Sequence, residues 1–362
     1  MTRKTHALID LNAIASNFEK VSRLAPESQH VAVVKANSYG NGAIQVAKKL
    51  SSRADMLAVA FFEEALALRK ANVSLPILIL QGPHSAEDLE YTRTHNLHWM
   101  LHQEEQLQWF ISADSEYCLQ GHQWIKFDTG MHRLGFPIEK FETLEQDYPQ
   151  VFNTSAVIAT HLARADEVDQ GPASEQIHRF LSHVDKQKYA TSIANSAGTI
   201  AFPMARANFN RLGISLYGSS PFDASVPYDL APVMHLYAPI ISIREVPAGD
   251  TVGYAGSWQA KQNSKIATVS IGYADGYPRH FPSGTKASLN GQDIYLAGRV
   301  SMDMLTFDVT HVENVNLGDM VELWGANVCI NELAASINTI GYELMTRVSN
   351  RVPRLYLGEN ND

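Results

Sequence analysis

Apolar and polar positions follow a helical rhythm near the start of the chain. Leu11, Ile14, Phe18, Val21 and Leu24 recur at intervals of three and four, behind Asp10 as a helix cap and ahead of Pro26 as a stop. Eight short apolar runs then succeed one another: Val31–Val34, Met56–Ala60, Ile77–Leu80, Leu97–Leu101, Trp124–Phe127, Ala156–Ala159, Ser192–Ala194 and Leu212–Leu216. Continuous apolar runs suit strands covered on both faces. Stretches of helical composition, such as Asn41–Leu50 and Glu63–Lys70, lie between them. Eight strands alternating with helices over about 200 residues predict a (β/α)8 barrel of the TIM type. From about residue 230 the texture changes. His235–Val246 is long and partly alternating, and the turn signals Gly249-Asp250, Asn290-Gly291 and Gly318-Asp319 become frequent. The fold class expected is therefore α/β, with an N-terminal barrel over residues 1–230 and a C-terminal mainly-β domain over 231–362. One helix-like segment, Asn331–Ile340, interrupts the second domain, and within residues 1–10 the apolar stretch from His6 is a candidate strand of it.

Composition narrows the function classes. With 362 residues, 45% hydrophobic and 19% charged, the chain can build two cores and has no disordered block. A net charge of −9 argues against nucleic acid or an anionic membrane as the main partner. Two cysteines, Cys118 and Cys329, outside any CxxC pair, support neither a disulfide scaffold nor a cysteine zinc site, and fit a reducing compartment. Asp10 and Asn12 break the first apolar run, so no signal-peptide core is present, and no apolar stretch reaches the ~20 residues that span a bilayer. The expected location is the cytoplasm.

Several strand ends carry candidate chemistry. Lys35 follows four apolar residues and precedes a loop with Tyr39, Gly40 and Gly42. At the C-terminal rim of a barrel such a lysine is desolvated, lowers its pKa and can form a Schiff base; the plainer reading is a strand-end lysine reaching solvent. A rival reads Gly40 and Gly42 as a dinucleotide turn with Glu63 as ribose ligand, but Gln45 stands where the third glycine belongs. The segment WIKFDTGMHRLGF crowds Lys126, Asp128, His132 and Arg133 at one strand end, which suits a carboxylate site or a salt-bridged rim. His161 follows another apolar run, where a core histidine is equally natural, and Asn195 and Ser196 can cap a helix or face a phosphate. His95, His98 and His102 cannot share one face of a strand, so no metal site is expected. The second domain adds Tyr254, Tyr273, Asp275, Met302 and Asp303.

Taken in order, AVVKANSYGNG, KFDTGMHRLG, THLARAD, NSAG, NRLGISLYG, VGYAG, IGYADGYPR, GRVSMDM and YELMTRVSNRVPR make the chain resemble the alanine racemase family. The resemblance implies pyridoxal 5′-phosphate as cofactor, linked to Lys35, and a two-base racemisation of L- and D-alanine. Lys35 would exchange the proton on the D face and Tyr254 on the L face. It further implies that His161 links Tyr254 to Arg211, whose guanidinium faces the pyridine nitrogen. Tyr39, Ser196, Tyr342 and the backbone of Gly213 and Ile214 would hold the phosphate. Arg133 and the backbone of Met302 would bind the substrate carboxylate, and Lys126 matches a position that is carbamylated in many members. The family's homodimers share their sites, so Tyr254 and Met302 would act across the interface. The product would feed peptidoglycan synthesis, or D-alanine would be broken down. Ser38, Asn41 and Leu212 stand where Ala, His and Pro are common. The competing functions are a broad-specificity racemase, a barrel-type amino-acid decarboxylase and a cofactor carrier without turnover.

Overall fold

A computed structural model describes residues 3–113, 115–167, 169–222 and 228–359. The chain enters through β1 (His6–Asp10), and Asp10 then caps the helix Leu11–Ser22, its carboxylate accepting the amides of Asn12 and Ala13. Eight parallel strands follow: β2 (Gln29–Val33), β3 (Met56–Val59), β4 (Ile77–Ile79), β5 (Leu97–Leu101), β6 (Gln123–Asp128), β8 (Val157–Ala159), β9 (Ala190–Ser192) and β10 (Phe209–Leu212). A two-residue β7 (Phe136–Pro137) lies beside β6. The order β10-β2-β3-β4-β5-β6-β8-β9 comes round on itself, since the Arg211 amide donates to the Ala194 carbonyl at 3.0 Å and Ser192 Oγ to the Phe209 carbonyl at 2.9 Å. The barrel interior is packed rather than hollow; Trp124 and Phe209, for example, meet at 4.8 Å between ring centroids.

The last two barrel strands start earlier than their apolar runs. Asn195 leaves the ladder to accept the Gly198 amide, and Gly213 turns the chain at φ −116°, ψ −100°. Ile193, Ala194, Ile214 and Leu216 are apolar because they are buried at the top of the barrel, beyond the strands. The barrel replaces the open sheet that a dinucleotide turn would need, and Glu63 is exposed on the helix Phe62–Lys70.

The second domain is an eight-stranded sheet built on β11 (Met234–Val246), with the hairpin β12 (Thr251–Val252) and β13 (Trp258–Gln259) projecting from it. Its other strands are β14 (Ser264–Val269), β15 (Lys286–Leu289), β16 (Gln292–Leu296), β17 (Leu305–Asp308), β18 (Met320–Trp324) and β19 (Arg354–Leu357). β1 lies between β11, antiparallel, and β19, parallel, so the first strand of the chain belongs to this sheet. Asn290 and Gly291, both at positive φ, make the two-residue turn between β15 and β16. The helix expected over 331–340 ends early, at Ser336, with Asn338 at φ +61°, and a second helix, Gly341–Arg347, follows the expected segment. The first of these helices meets the C-terminal rim of the barrel, where Ser219 donates to Asn331 at 2.8 Å, and Arg354 of β19 reaches the Gly40 carbonyl at 3.1 Å.

Toward the opposite end of the barrel, His98 stacks on His122 at 4.5 Å and donates through Nδ1 to the Gly121 carbonyl at 2.9 Å. Burial, then the neighbouring His122, pushes the His98 pKa down to about 3. The unfolded chain takes up this proton below about pH 6.5 and the folded chain does not until about pH 3, so stability falls as pH falls through that window. Denaturant titrations at pH 7 and pH 4.5 should show that loss, and His98→Asn, which keeps a donor without the titration, should reduce it by about 1 kcal/mol or more.

Candidate active site

Lys35 leaves the end of β2 into a turn of unusual hand. Ala36, Asn37, Ser38 and Tyr39 all have φ between 52° and 54°, a left-handed conformation that costs an L-residue roughly 1–2 kcal/mol each. Surrounding contacts over-determine the turn. Asn41 Nδ2 donates to the Ser38 and Tyr39 carbonyls, Asn37 Oδ1 accepts the Ala43 amide at 2.8 Å, and Glu64 accepts the Ala36 amide at 2.7 Å. Gly40 continues at φ +83°, where a Cβ would meet the Met345 carbonyl, so glycine is required on both counts. The consequence is that Lys35 and Tyr39 reach the same cavity from one short loop.

That cavity, about 1150 Å³, opens at the C-terminal ends of the barrel strands and is roofed by residues from Asn331 to Tyr342. Its wall includes Lys35, Tyr39, Lys126, Arg133, His161, Ser196, Arg211, Gly213, Ile214 and Tyr342. Tyr254 and Met302 lie elsewhere. Tyr254 stands on the β12–β13 hairpin, 69% exposed, and Met302 is 53% exposed beside the loop of Tyr273, its carbonyl accepting the Ala274 amide at 3.0 Å. His161 lines the cavity in the barrel whereas Tyr254 stands on an exposed hairpin of the second domain, and within one chain no hydrogen bond joins these two residues.

Four cations, Lys35, Lys126, Arg133 and Arg211, face this space, and burial with repulsion from their neighbours lowers the two lysines. Burial, then Arg133, lowers Lys35, while Glu64 opposes the shift. Burial, then Arg211 and Arg133, brings Lys126 down to about 8. Arg211 is fully enclosed, which brings it to about 10 and leaves it protonated at neutral pH. It donates to the carbonyls of Ser192, Thr160 and Ile193 and meets His161 Nδ1 at 3.2 Å. Burial and these cations hold His161 far below its ordinary value, so it is neutral and accepts from Arg211. Asp128 braces the loop that leads to Arg133: Oδ1 accepts the amides of Gly130, Met131 and His132, and Oδ2 receives His132 Nδ1 at 3.0 Å.

The far wall is a cradle of donors. Ser196 Oγ accepts the Gly213 amide at 2.8 Å and the Ser215 hydroxyl at 3.0 Å. A Cβ on Gly213 would sit 2.8 Å from Tyr39 Oη, so this glycine lets the phenol come close to the backbone. Tyr39 packs against Tyr217 at 4.8 Å and Tyr342 at 5.9 Å, and burial raises the Tyr39 and Tyr342 phenols, which therefore keep their protons as donors. Sequence reasoning missed Glu64. Its contacts are main-chain amides, which leave no residue pattern to recognise; a carboxylate in the first turn after β3 was the one available signal.

A desolvated lysine and a cation-lined, donor-rich cavity at a barrel rim define an α/β-barrel enzyme suited to amine chemistry on an anionic ligand. The alanine racemase N-terminal domain matches residues 9–221, and the alanine racemase C-terminal domain matches 233–356. The alanine racemase of Alteromonas mediterranea is 47% identical over 356 residues, covering 98% of this chain and 99% of that protein. The structure of alanine racemase from Acinetobacter baumannii superposes with a TM-score of 0.91 at 36% identity, covering 98% of this chain and 100% of that one. The Bartonella henselae alanine racemase, solved with covalently bound pyridoxal phosphate, superposes at 0.87 with 30% identity over 98% of this chain and 99% of that one. The chain belongs to the alanine racemase family of isomerases.

Proposed function

We propose that this protein interconverts L- and D-alanine with pyridoxal 5′-phosphate, as a homodimer with shared active sites. The observation that carries the reading is the desolvated Lys35 in one cavity with the cradle of Tyr39, Ser196, Gly213 and Tyr342. The residues present fit the cofactor. The protonated Tyr39 and Tyr342 phenols and the Ser196 hydroxyl suit a phosphate without a lysine, and the missing Cβ of Gly213 lets Tyr39 Oη lie close to the backbone there. When bound, the cofactor supplies the electron-withdrawing system that acidifies the Cα–H of an amino acid.

The chain's own residues do the rest. Free lysine and tyrosine have pKa values of ~10, so a base working near neutrality needs its charged state adjusted by several units. Burial and Arg133 lower the Lys35 pKa, which favours the neutral amine that would take a proton from one face. Returning a proton to the opposite face needs a second group, assigned to Tyr254 of another copy of the chain. His161, neutral beside Arg211, is the group assigned to bridge toward it. Arg211 keeps its protons at neutral pH and would donate to the ring nitrogen of the bound cofactor rather than protonate it. Arg133 and the Met302 backbone are assigned to the alanine carboxylate. Lys126, at about 8, has an amine neutral enough for the carbamylation its position implies, which would give Arg133 an anionic neighbour. Among the described residues no helix is long and apolar enough to cross a membrane. The product serves peptidoglycan synthesis or, in the reverse sense, D-alanine breakdown.

The test is optical rotation of L-alanine in heavy water with the protein and pyridoxal phosphate. Rotation should decay to zero as deuterium enters Cα. Release of carbon dioxide without that decay would point to decarboxylation, and bound cofactor without either change to a carrier.

A further inference from the structure

Lys35 is one residue from a carboxylate clamp that the site assignments leave unused. Glu64, in the first turn of the helix Phe62–Lys70, places Oε1 2.7 Å from the Ala36 amide and Oε2 2.8 Å from the Ala60 amide. Ala36 follows Lys35 at the end of β2, and Ala60 follows Val59 at the end of β3. We propose that Glu64 is a positioning residue for Lys35, its carboxylate tying the ends of two barrel strands together and holding the left-handed turn that aims the lysine into the cavity. The assignment rests on the reading of Lys35 as the cofactor-bearing amine.

The far half of the turn has its own supports, in Asn41 against the Ser38 and Tyr39 carbonyls and Asn37 against the Ala43 amide. The Ala36 amide, next to the lysine, is held from outside the turn by Glu64. A carboxylate suits that task because it accepts two amides at once, which an amide side chain cannot do without presenting a donor to one of them. Charge adds a second role. Arg133 and Lys126 share the cavity with Lys35, and against these cations Glu64 is the acid that favours the protonated amine.

Amide hydrogen exchange on the cofactor-free protein tests the clamp directly, read on a peptide spanning residues 34–40. Glu64→Gln should speed exchange at 36–39 by at least about tenfold relative to wild type, and leave the strand 97–101 unchanged. The pH profile of Lys35 acylation by acetic anhydride should move to lower pH, a change that loosening alone does not produce. Glu64→Asp, one methylene shorter but still charged, should keep the faster exchange while restoring the acylation profile. Unchanged exchange and an unchanged profile in folded Glu64→Gln would overturn the proposal. Should that variant not fold, wild-type exchange in Glu64→Asp overturns it equally. If borohydride fixes no pyridoxal phosphate on wild-type Lys35, the functional reading falls alone, because exchange is measured without the cofactor.

Discussion

Lys35→Ala should lose the borohydride-reducible attachment of pyridoxal phosphate and slow racemisation by at least roughly 10³-fold in both directions. Both effects follow from one group, because the amine that would carry the cofactor is also the one that would hold the proton on one face. The variant should remain folded. The Lys35 side chain enters a cavity rather than the core, and its protonated form is disfavoured by burial and by Arg133, so removing it relieves a cost. A thermal midpoint equal to or above wild type, with activity gone, is the expected pairing. Mass spectrometry of the reduced adduct gives the decisive reading. A reducible adduct persisting in the variant would reassign the cofactor to another amine, and Lys126, at about 8 in the same cavity, would be the first place to look.

Much of this site was legible in sequence because barrel strands end in chemistry. An apolar run followed by a lone charged residue marks both a strand and its C-terminal rim, and Lys35 and His161 were found that way. Asp10 was legible as a cap because its carboxylate meets amides two and three residues on. Patterns failed where apolar residues serve a purpose other than a strand. Ile214–Tyr217 reads like a strand continuing from Leu212 but is a short turn of helix packed over the barrel top. The left-handed turn after Lys35 was invisible for a different reason. Its four residues carry no glycine, and beside the local Asn41 the contacts that hold it come from Glu64 and the second domain, far off in sequence. The break at Asn338 was equally hidden, since an asparagine at positive φ ends a helix only when the next segment has somewhere else to pack. Geometry also separated two groups that the family resemblance joins: the cavity holds Lys35, while Tyr254 and Met302 stand exposed outside it.

That separation leads to the second large effect, which concerns where the other base comes from. Tyr254→Phe should keep the cofactor linkage and lose racemisation preferentially from L-alanine, because the phenol oxygen alone is removed. Within one chain Tyr254 is 69% exposed and does not line the cavity, so the proposed role of Tyr254 requires it to come from another copy. A copy related by twofold symmetry can bring the hairpin to the cavity, and the same operation then completes both sites. Mixing two inactive variants therefore tests the arrangement. Lys35→Ala and Tyr254→Phe chains, exchanged at equal concentration, form hybrids in which one site is doubly damaged and the other has both bases intact. Random pairing makes half the dimers hybrids, so activity should return to about one quarter of wild type. If both bases acted within one chain, every site in the mixture would lack one of them and no activity would return. Dilution gives an independent reading, since activity per chain should fall when the protein is diluted below its dimer dissociation constant, as expected where the site is built by association.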